Sequence, residues 1–185
     1  GSTALHAAAY YGHAETVVVL LATGAPTSAT TSDGQTPRVE TALEKPELTR
    51  VLKLLGDAEV DQFIQAAALG EKERLETLLL AEEVSPLERD APLVNTVSCG
   101  RTALLAAASQ GYVDCVHLLI QARAEVGYQN AEGLTALHVA ATEGHNAVCE
   151  ALVTAGADMD IVSHSGQTPV DVAAKKVLAT LRQVV

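Results

Sequence analysis

Gly133-Leu134-Thr135-Ala136-Leu137-His138-Val139-Ala140-Ala141-Thr142-Glu143-Gly144-His145 opens a unit that closes on Gly156-Ala157-Asp158. Gly133 permits the turn that starts it, and Thr135 stands where a helix N-cap is expected. Leu137, Val139, Ala140 and Ala141 give a short first helix with one small, closely packed face. Gly144 ends that helix, in the position where a C-terminal glycine is favoured. A second helix follows, with Val148, Cys149, Leu152 and Val153 at helical spacing. After Gly156-Ala157-Asp158 the chain returns as an extended loop to Gly166.

The same phrase recurs along the chain. Gly1-Ser2-Thr3-Ala4-Leu5-His6, Gly34-Gln35-Thr36-Pro37, Gly100-Arg101-Thr102-Ala103-Leu104 and Gly166-Gln167-Thr168-Pro169 repeat it, with threonines 33, 66, 33 and 33 residues apart. A fixed period of this size marks a solenoid, in which each unit buries its apolar face only by stacking on its neighbours. The composition agrees. The chain is 48% apolar but 3% aromatic, without Trp, so its core is built from Ala, Leu and Val, which suit closely stacked helices.

Thr135-Ala136-Leu137-His138, Ala140-Ala141, Gly144-His145 and Gly156-Ala157-Asp158 together resemble the ankyrin repeat. Residues 1–33 match through Thr3-Ala4-Leu5-His6, Ala7-Ala8, Gly12-His13, Leu20-Leu21 and Gly24-Ala25. Residues 100–132 match through Thr102-Ala103-Leu104, Ala106-Ala107, Gly111-Tyr112 and Leu118-Leu119, with Leu105 in place of the histidine and Arg123 in place of the glycine. The resemblance implies an all-α solenoid of helix-turn-helix repeats with short β-hairpin fingers. About five to six units are expected, two of them shortened.

Departures from the period define the organisation. After Thr36-Pro37 the unit is short, with one helix from Arg38 to Leu43 and another from Glu47 to Leu55 behind Pro46. Asp61 aligns with the recurring threonine but lies eight residues early. The eight reappear in a long loop from Glu82 to Ser98, which reads either as a private recognition element or as plain disorder. Two shortened units, closed by Val51–Leu55 and Val177–Leu181, fit terminal covers of an apolar face, and residues 60–80 fit an amino-terminal cap. Two sub-arrays are therefore expected, 1–58 and 59–185, meeting near Gly56 to Asp61. Gly1-Ser2 has the look of a cloning scar, ahead of which the array is expected to extend.

Charge and motif content narrow the function. The formal net charge is −11, with residues 59–92 carrying nine acids and three bases. Such a surface repels phosphate backbones, so nucleic acid is not expected as a ligand. No apolar run approaches the ~18 residues that span a bilayer, and neither a secretory signal nor a basic amphipathic helix is present. Cys99, Cys115 and Cys149 form no CxxC or Cys/His cluster, which fits small core residues in a reducing cytosolic or nuclear compartment. The i,i+7 pairs His6–His13 and His138–His145 could suggest a metal. The resemblance implies instead that the first of each pair bonds the neighbouring finger and the second caps the following helix. Asp158-Met159-Asp160 lacks the remaining ligands of a calcium loop. No phosphate loop, dinucleotide glycine pattern or nucleophile elbow occurs. No cofactor, metal, small-molecule substrate or catalytic group is expected.

The resemblance also implies where a partner would bind: at the finger tips and the last residues of each first helix, which line the concave face. Carried onto this chain, the helix-end positions are Tyr10, Tyr11, Leu43, Glu44, Ala68, Leu69, Ser109, Gln110, Thr142 and Glu143. The finger positions include Asp33, Gln35, Cys99, Arg101, Glu132, Leu134, His164 and Gln167. Tyr10-Tyr11 is the sharpest choice, because tyrosine is enriched at binding hot spots. The competing reading packs one of the two rings against the neighbouring unit; for Arg101 it is a solvated finger charge. The expected function is a protein-interaction module of scaffold or adaptor kind, with a mild preference for a basic peptide or domain. The alternative is a structural spacer or self-assembly module.

Overall fold

The structure, a computed structural model, describes residues 2–44, 48–84 and 92–173. Helices α1 (Ala4–Tyr10), α2 (Ala14–Ala22), α3 (Pro37–Glu44), α4 (Thr49–Leu69) and α5 (Lys72–Val84) come first. A 3₁₀ turn at Leu93–Asn95 precedes α6 (Ala103–Gln110), α7 (Val113–Gln121), α8 (Ala136–Glu143), α9 (Asn146–Thr154) and α10 (Pro169–Val172). Residues gather into two compact units, Gly1–Gln62 with Thr77–Asp90, and Phe63–Glu76 with Ala91–Val185. The closing helix expected at Val177–Leu181, and Pro46, lie outside the described residues.

The recurring threonines start helices because each offers a side-chain oxygen to a backbone N–H that no intrahelical carbonyl can reach. Thr3, Thr102, Thr135 and Thr168 all accept from the residue three further on. In α1 and α8 the bond is reciprocated by histidine: the Thr135 N–H donates to His138 Nδ1 at 3.2 Å, and Thr3 N–H donates to His6 Nδ1 at 3.2 Å. The first helices end on glycines in left-handed conformation, φ 78° at Gly111 and 82° at Gly144. The left-handed backbone at Gly111 also permits close approach: a Cβ there would lie 2.6 Å from His145 Nδ1.

Stacking follows from the small faces so produced. In the second unit α6 packs on α8, α8 on α10 and α7 on α9. Its core comprises Ala103 to Ala108, Cys115, Val116, Leu119, Leu137, Ala140, Ala141, Val148, Cys149 and Leu152. In the first unit α1 packs on α2 and α3. Leu5, Ala8, Ala9, Val17, Val51 and Leu55 form its core, with Leu48 and Leu54 against it.

The fingers are tight turns rather than extended hairpins. Residues Thr31 to Gln35, Asn130 to Leu134 and Ser163 to Gln167 are each closed by the same pair of backbone hydrogen bonds. Among the described residues, β pairing is found in the isolated bridge between Ser98 and Arg101. That turn has Cys99 at φ 52° and Gly100 at φ 75°, the twist of a two-residue hairpin with both central residues left-handed.

Two departures from the sequence reading concern helices. Where separate helices are expected around a junction at Gly56–Asp61, α4 runs unbroken for 21 residues, and Asp61 lies in its interior rather than at a cap. Gly56 costs a helix about 1 kcal/mol. The buried positions Val51, Leu55, Glu59 and Phe63 hold one face through it. Glu59 is tolerated there because its carboxylate pairs with Arg38 at 3.5 Å. Likewise α5 continues through Glu82 to Val84, into the stretch read as loop. Pro92 to Ser98 is ordered around a buried Leu93 and Val94, whereas residues 85–91 of that loop lie outside the described residues.

Candidate functional site

The last residues of the first helices emerge from the stack abruptly. Along α6 every side chain from Ala103 to Ala108 is buried; Ser109 is half-buried and Gln110 exposed. Along α8 the buried run Ala136, Leu137, His138, Ala140 and Ala141 gives way to exposed Thr142 and Glu143. Leu69 ends α4 with 54% of its surface exposed. In each case a left-handed glycine follows and turns the chain into the next helix. The sequence thus places a row of unlike side chains at equivalent points of near-identical helices.

Part of this row is engaged within the stack. Ser109 Oγ donates to the Ala106 carbonyl, and the Ser109 carbonyl accepts from His145 Nε2 at 3.3 Å. Thr142 Oγ1 donates to the His138 carbonyl. Gln110, Glu143 and Leu69 face outward, and Thr142 is exposed although its hydroxyl turns back to the helix. Among finger residues, Arg101, Glu132, His164 and Gln167 are exposed and Leu134 is half-buried. The last two fingers of this unit are joined to one another, since His164 N–H donates to the Glu132 carbonyl at 3.0 Å.

In the first unit the corresponding corner is aromatic. Tyr10 is half-buried and Tyr11 is 66% exposed. The rings meet edge to face, centroids 5.2 Å apart and planes at 87°, and Tyr11 stacks on His13 at 6.3 Å. Asp33 is exposed and Gln35 half-buried on the neighbouring finger. The Gln35 carbonyl accepts from His6 Nε2 at 3.0 Å, which fixes that finger against α1. The side chains of Leu43 and Glu44 lie outside the described residues.

The histidines divide between an expected and an unexpected role. His6 and His138 bridge their own N-cap to the neighbouring finger, with His138 Nε2 3.1 Å from the Gln167 carbonyl. A backbone N–H can only donate and a carbonyl can only accept, so Nδ1 bears the lone pair and Nε2 the proton. His13 and His145 stand at the N-cap positions of α2 and α9 but make no side-chain cap. This corrects the capping role the sequence suggested. The His145 ring reaches back over Gly111 instead, where the absence of a Cβ leaves it room to donate to the Ser109 carbonyl.

Other contacts gave no sequence signal. Gln62 accepts from Thr27 N–H and hydroxyl at 3.3 and 3.0 Å and donates to the Ala25 carbonyl at 3.2 Å. Asn95 accepts from Glu125 N–H at 2.7 Å and donates to the Arg123 carbonyl at 3.4 Å. It thereby holds the left-handed Arg123 in place, φ 65°. Burial pushes the Cys149 thiol up to about 11 and raises that of Cys115 as well, while Cys99 is exposed. No group of three or more His, Cys, Asp or Glu that could hold a metal ion occurs among the described residues. No helix among them is long and apolar enough to cross a membrane.

A model of three successive ankyrin repeats matches residues 63–163 and 122–181, and a single ankyrin-repeat model matches residues 1–32. The chain belongs to the ankyrin-repeat family. Repeats of this family are generally protein–protein interaction modules and typically non-enzymatic. No curated protein matches the chain.

Proposed function

We propose that this ankyrin-repeat chain is a non-enzymatic scaffold or adaptor module that takes a peptide or folded protein across its first-helix ends and finger tips. The observation that supports this most is the burial step. In α6 and α8 the buried positions run to within two residues of the helix end, and the residues beyond, Gln110, Thr142 and Glu143, differ between units, as does Tyr11 at the matching place of the first unit. Residues that hold a stack converge on small apolar types, whereas residues that read a partner are free to differ. With a net charge of −11, a basic partner is favoured and nucleic acid is not. The free thiols suit a reducing compartment, cytosol or nucleus.

The test is a pull-down from a reducing cell extract with the parent chain and a Tyr10→Ala/Tyr11→Ala double variant of verified fold. A protein retained by the parent and lost by the variant supports the surface. Retention unchanged by this variant and by Gln110→Ala/Glu143→Ala removes it.

A further inference from the structure

The finger between α2 and α3 holds a pair of residues that its counterparts lack. Each finger has a left-handed glycine two residues before the recurring threonine, with φ 76° at Gly34, 75° at Gly100, 74° at Gly133 and 76° at Gly166. The residue before that glycine is Cys99, Glu132 or Ser165 in three fingers and Asp33 in the first. Of the eight aspartates in the chain, Asp33 alone is followed by glycine. An aspartate carboxyl carbon and the amide nitrogen of the next residue can close a five-membered ring, which a Cβ on that next residue hinders. Gly34 has no Cβ, and one built there would meet nothing within 4 Å, whereas at Gly133 it would meet the His164 backbone at 2.7 Å. Glutamate, as at position 132, would need a six-membered ring, which closes far more slowly.

One feature opposes ring closure. The Gly34 N–H donates to the Thr31 carbonyl at 3.1 Å, and that bond must open before the nitrogen can attack. Ser32, Asp33 and Gly34 are all exposed, so the turn opens at far less cost than the fold as a whole, and water reaches it freely.

We propose that Asp33 is a site of spontaneous isoaspartate formation, and that the change releases this finger from α1. The Gly34 nitrogen attacks the Asp33 carboxyl carbon and forms an N–Cγ bond, while a carboxyl oxygen and two protons, one of them from the N–H, leave as water. Water then opens the resulting succinimide. Breaking the bond from nitrogen to Cγ restores aspartate. Breaking the bond from nitrogen to the main-chain carbonyl leaves the chain running through Cβ and Cγ, one methylene longer, with nothing oxidised or reduced. Three hydrogen bonds close across residue 33: Gly34 N–H to the Thr31 carbonyl, Thr31 N–H to the Gln35 carbonyl at 2.9 Å, and Gln35 N–H to Thr31 Oγ1 at 3.3 Å. The longer link puts all three out of register, and with them the Gln35 carbonyl that accepts from His6 Nε2.

The test is prolonged incubation of the full chain at neutral pH, folded and in urea, beside a folded Asp33→Glu variant. The isomer, unchanged in mass, is located by electron-based fragmentation and by methyl transfer from an isoaspartyl methyltransferase. The folded parent is expected to gain isoaspartate at residue 33 ahead of every other aspartate, and the variant to gain none at that position. In the modified chain the amides from Thr31 to Thr36 and of His6 should shift, while those from Asn130 to Leu134 and from Ser163 to Gln167 stay in place. Isomerisation of Asp33 in urea but not in the folded chain would mean that the turn protects it, and would overturn the proposal. Isoaspartate arising no faster at 33 than elsewhere would do the same, and a modified chain with unmoved finger amides would overturn the release.

Discussion

His138 offers a direct measure of what one side chain contributes to a repeat stack. Consider His138→Leu, which installs the residue that the chain itself uses at position 105. The substitution removes the acceptor for the Thr135 N–H at 3.2 Å and the donor to the Gln167 carbonyl at 3.1 Å. Thr135 is only 2% exposed, so its N–H is left buried without its partner, a penalty of about 1–3 kcal/mol. Loss of the bond to Gln167 adds about 0.5–1.5 kcal/mol. Leucine returns roughly 1 kcal/mol through extra apolar burial, as Leu105 does at 6% exposure. The expected net loss is about 2 kcal/mol. In urea that lowers the unfolding midpoint by roughly 0.7–1 M. Because repeat arrays can depart from two-state behaviour, amide exchange supplies the local readout. The amides from Ser163 to Thr168 should exchange about fivefold faster, and those of α6 should not change. A midpoint within about 0.2 M of the parent, with unchanged exchange at that finger, would refute the bridging role. The reverse change, Leu105→His, aims its ring at the carbonyl of Leu134, since both existing bridges span 29 residues. It should slow exchange across residues 130 to 134.

Three further outcomes follow from the geometry. Gly56→Ala should stabilise the chain by up to about 1 kcal/mol, because the added Cβ meets Arg38 at an ordinary 3.5 Å; a lowered urea midpoint would count against a continuous α4. Of three free thiols, Cys99 alone should react promptly with an aromatic disulfide reagent at pH 8. With its pKa near 11 the buried Cys149 is thiolate in only about one molecule in a thousand, so release of a second thiol before unfolding would contradict the packing. Hydrogen bonds from the Thr168 N–H and hydroxyl hold the Asp171 carboxyl below its usual range. The cap's contribution is therefore full above the ordinary aspartate value of about 3.9 and disappears as pH falls through the lower folded value. A carboxyl NMR titration with its midpoint at or above the ordinary value would exclude the capping box at α10.

Much of the fold is legible because it rests on local rules repeated in phase. Thr102 and Thr135 cap and Gly111 and Gly144 terminate through contacts within a few residues, and Ala106-Ala107 and Ala140-Ala141 pack on neighbouring helices that the repeat period brings alongside. What escaped depends on neighbours distant in sequence. Nothing in Asp61 itself says that it lies inside a helix; the buried face from Val51 to Phe63 decides that. Gln62 holding Ala25 and Thr27, and Asn95 holding Arg123 and Glu125, are long-range partnerships of ordinary amides without a pattern to betray them. For the surface, the helix-end positions could be read from the repeat itself. Which of them stay outward, as Gln110 and Glu143 do, and which turn a hydroxyl back onto a carbonyl, as Ser109 and Thr142 do, is decided by the packing around each helix end. Leu93-Val94 carried the one faint local signal, two apolar residues directly after Pro92 in an otherwise charged stretch.

The missing histidine at position 105 leaves the finger from Asn130 to Leu134 held differently from the other two. It is braced by the side chains of Gln129 and Asn130 and by the His164 N–H on the Glu132 carbonyl, not by an imidazole on the helix behind it. The tip is thus coupled to the following tip through the Glu132 carbonyl and through Gln129 on the Val162 carbonyl, so a ligand that contacts Glu132 also bears on the backbone of His164.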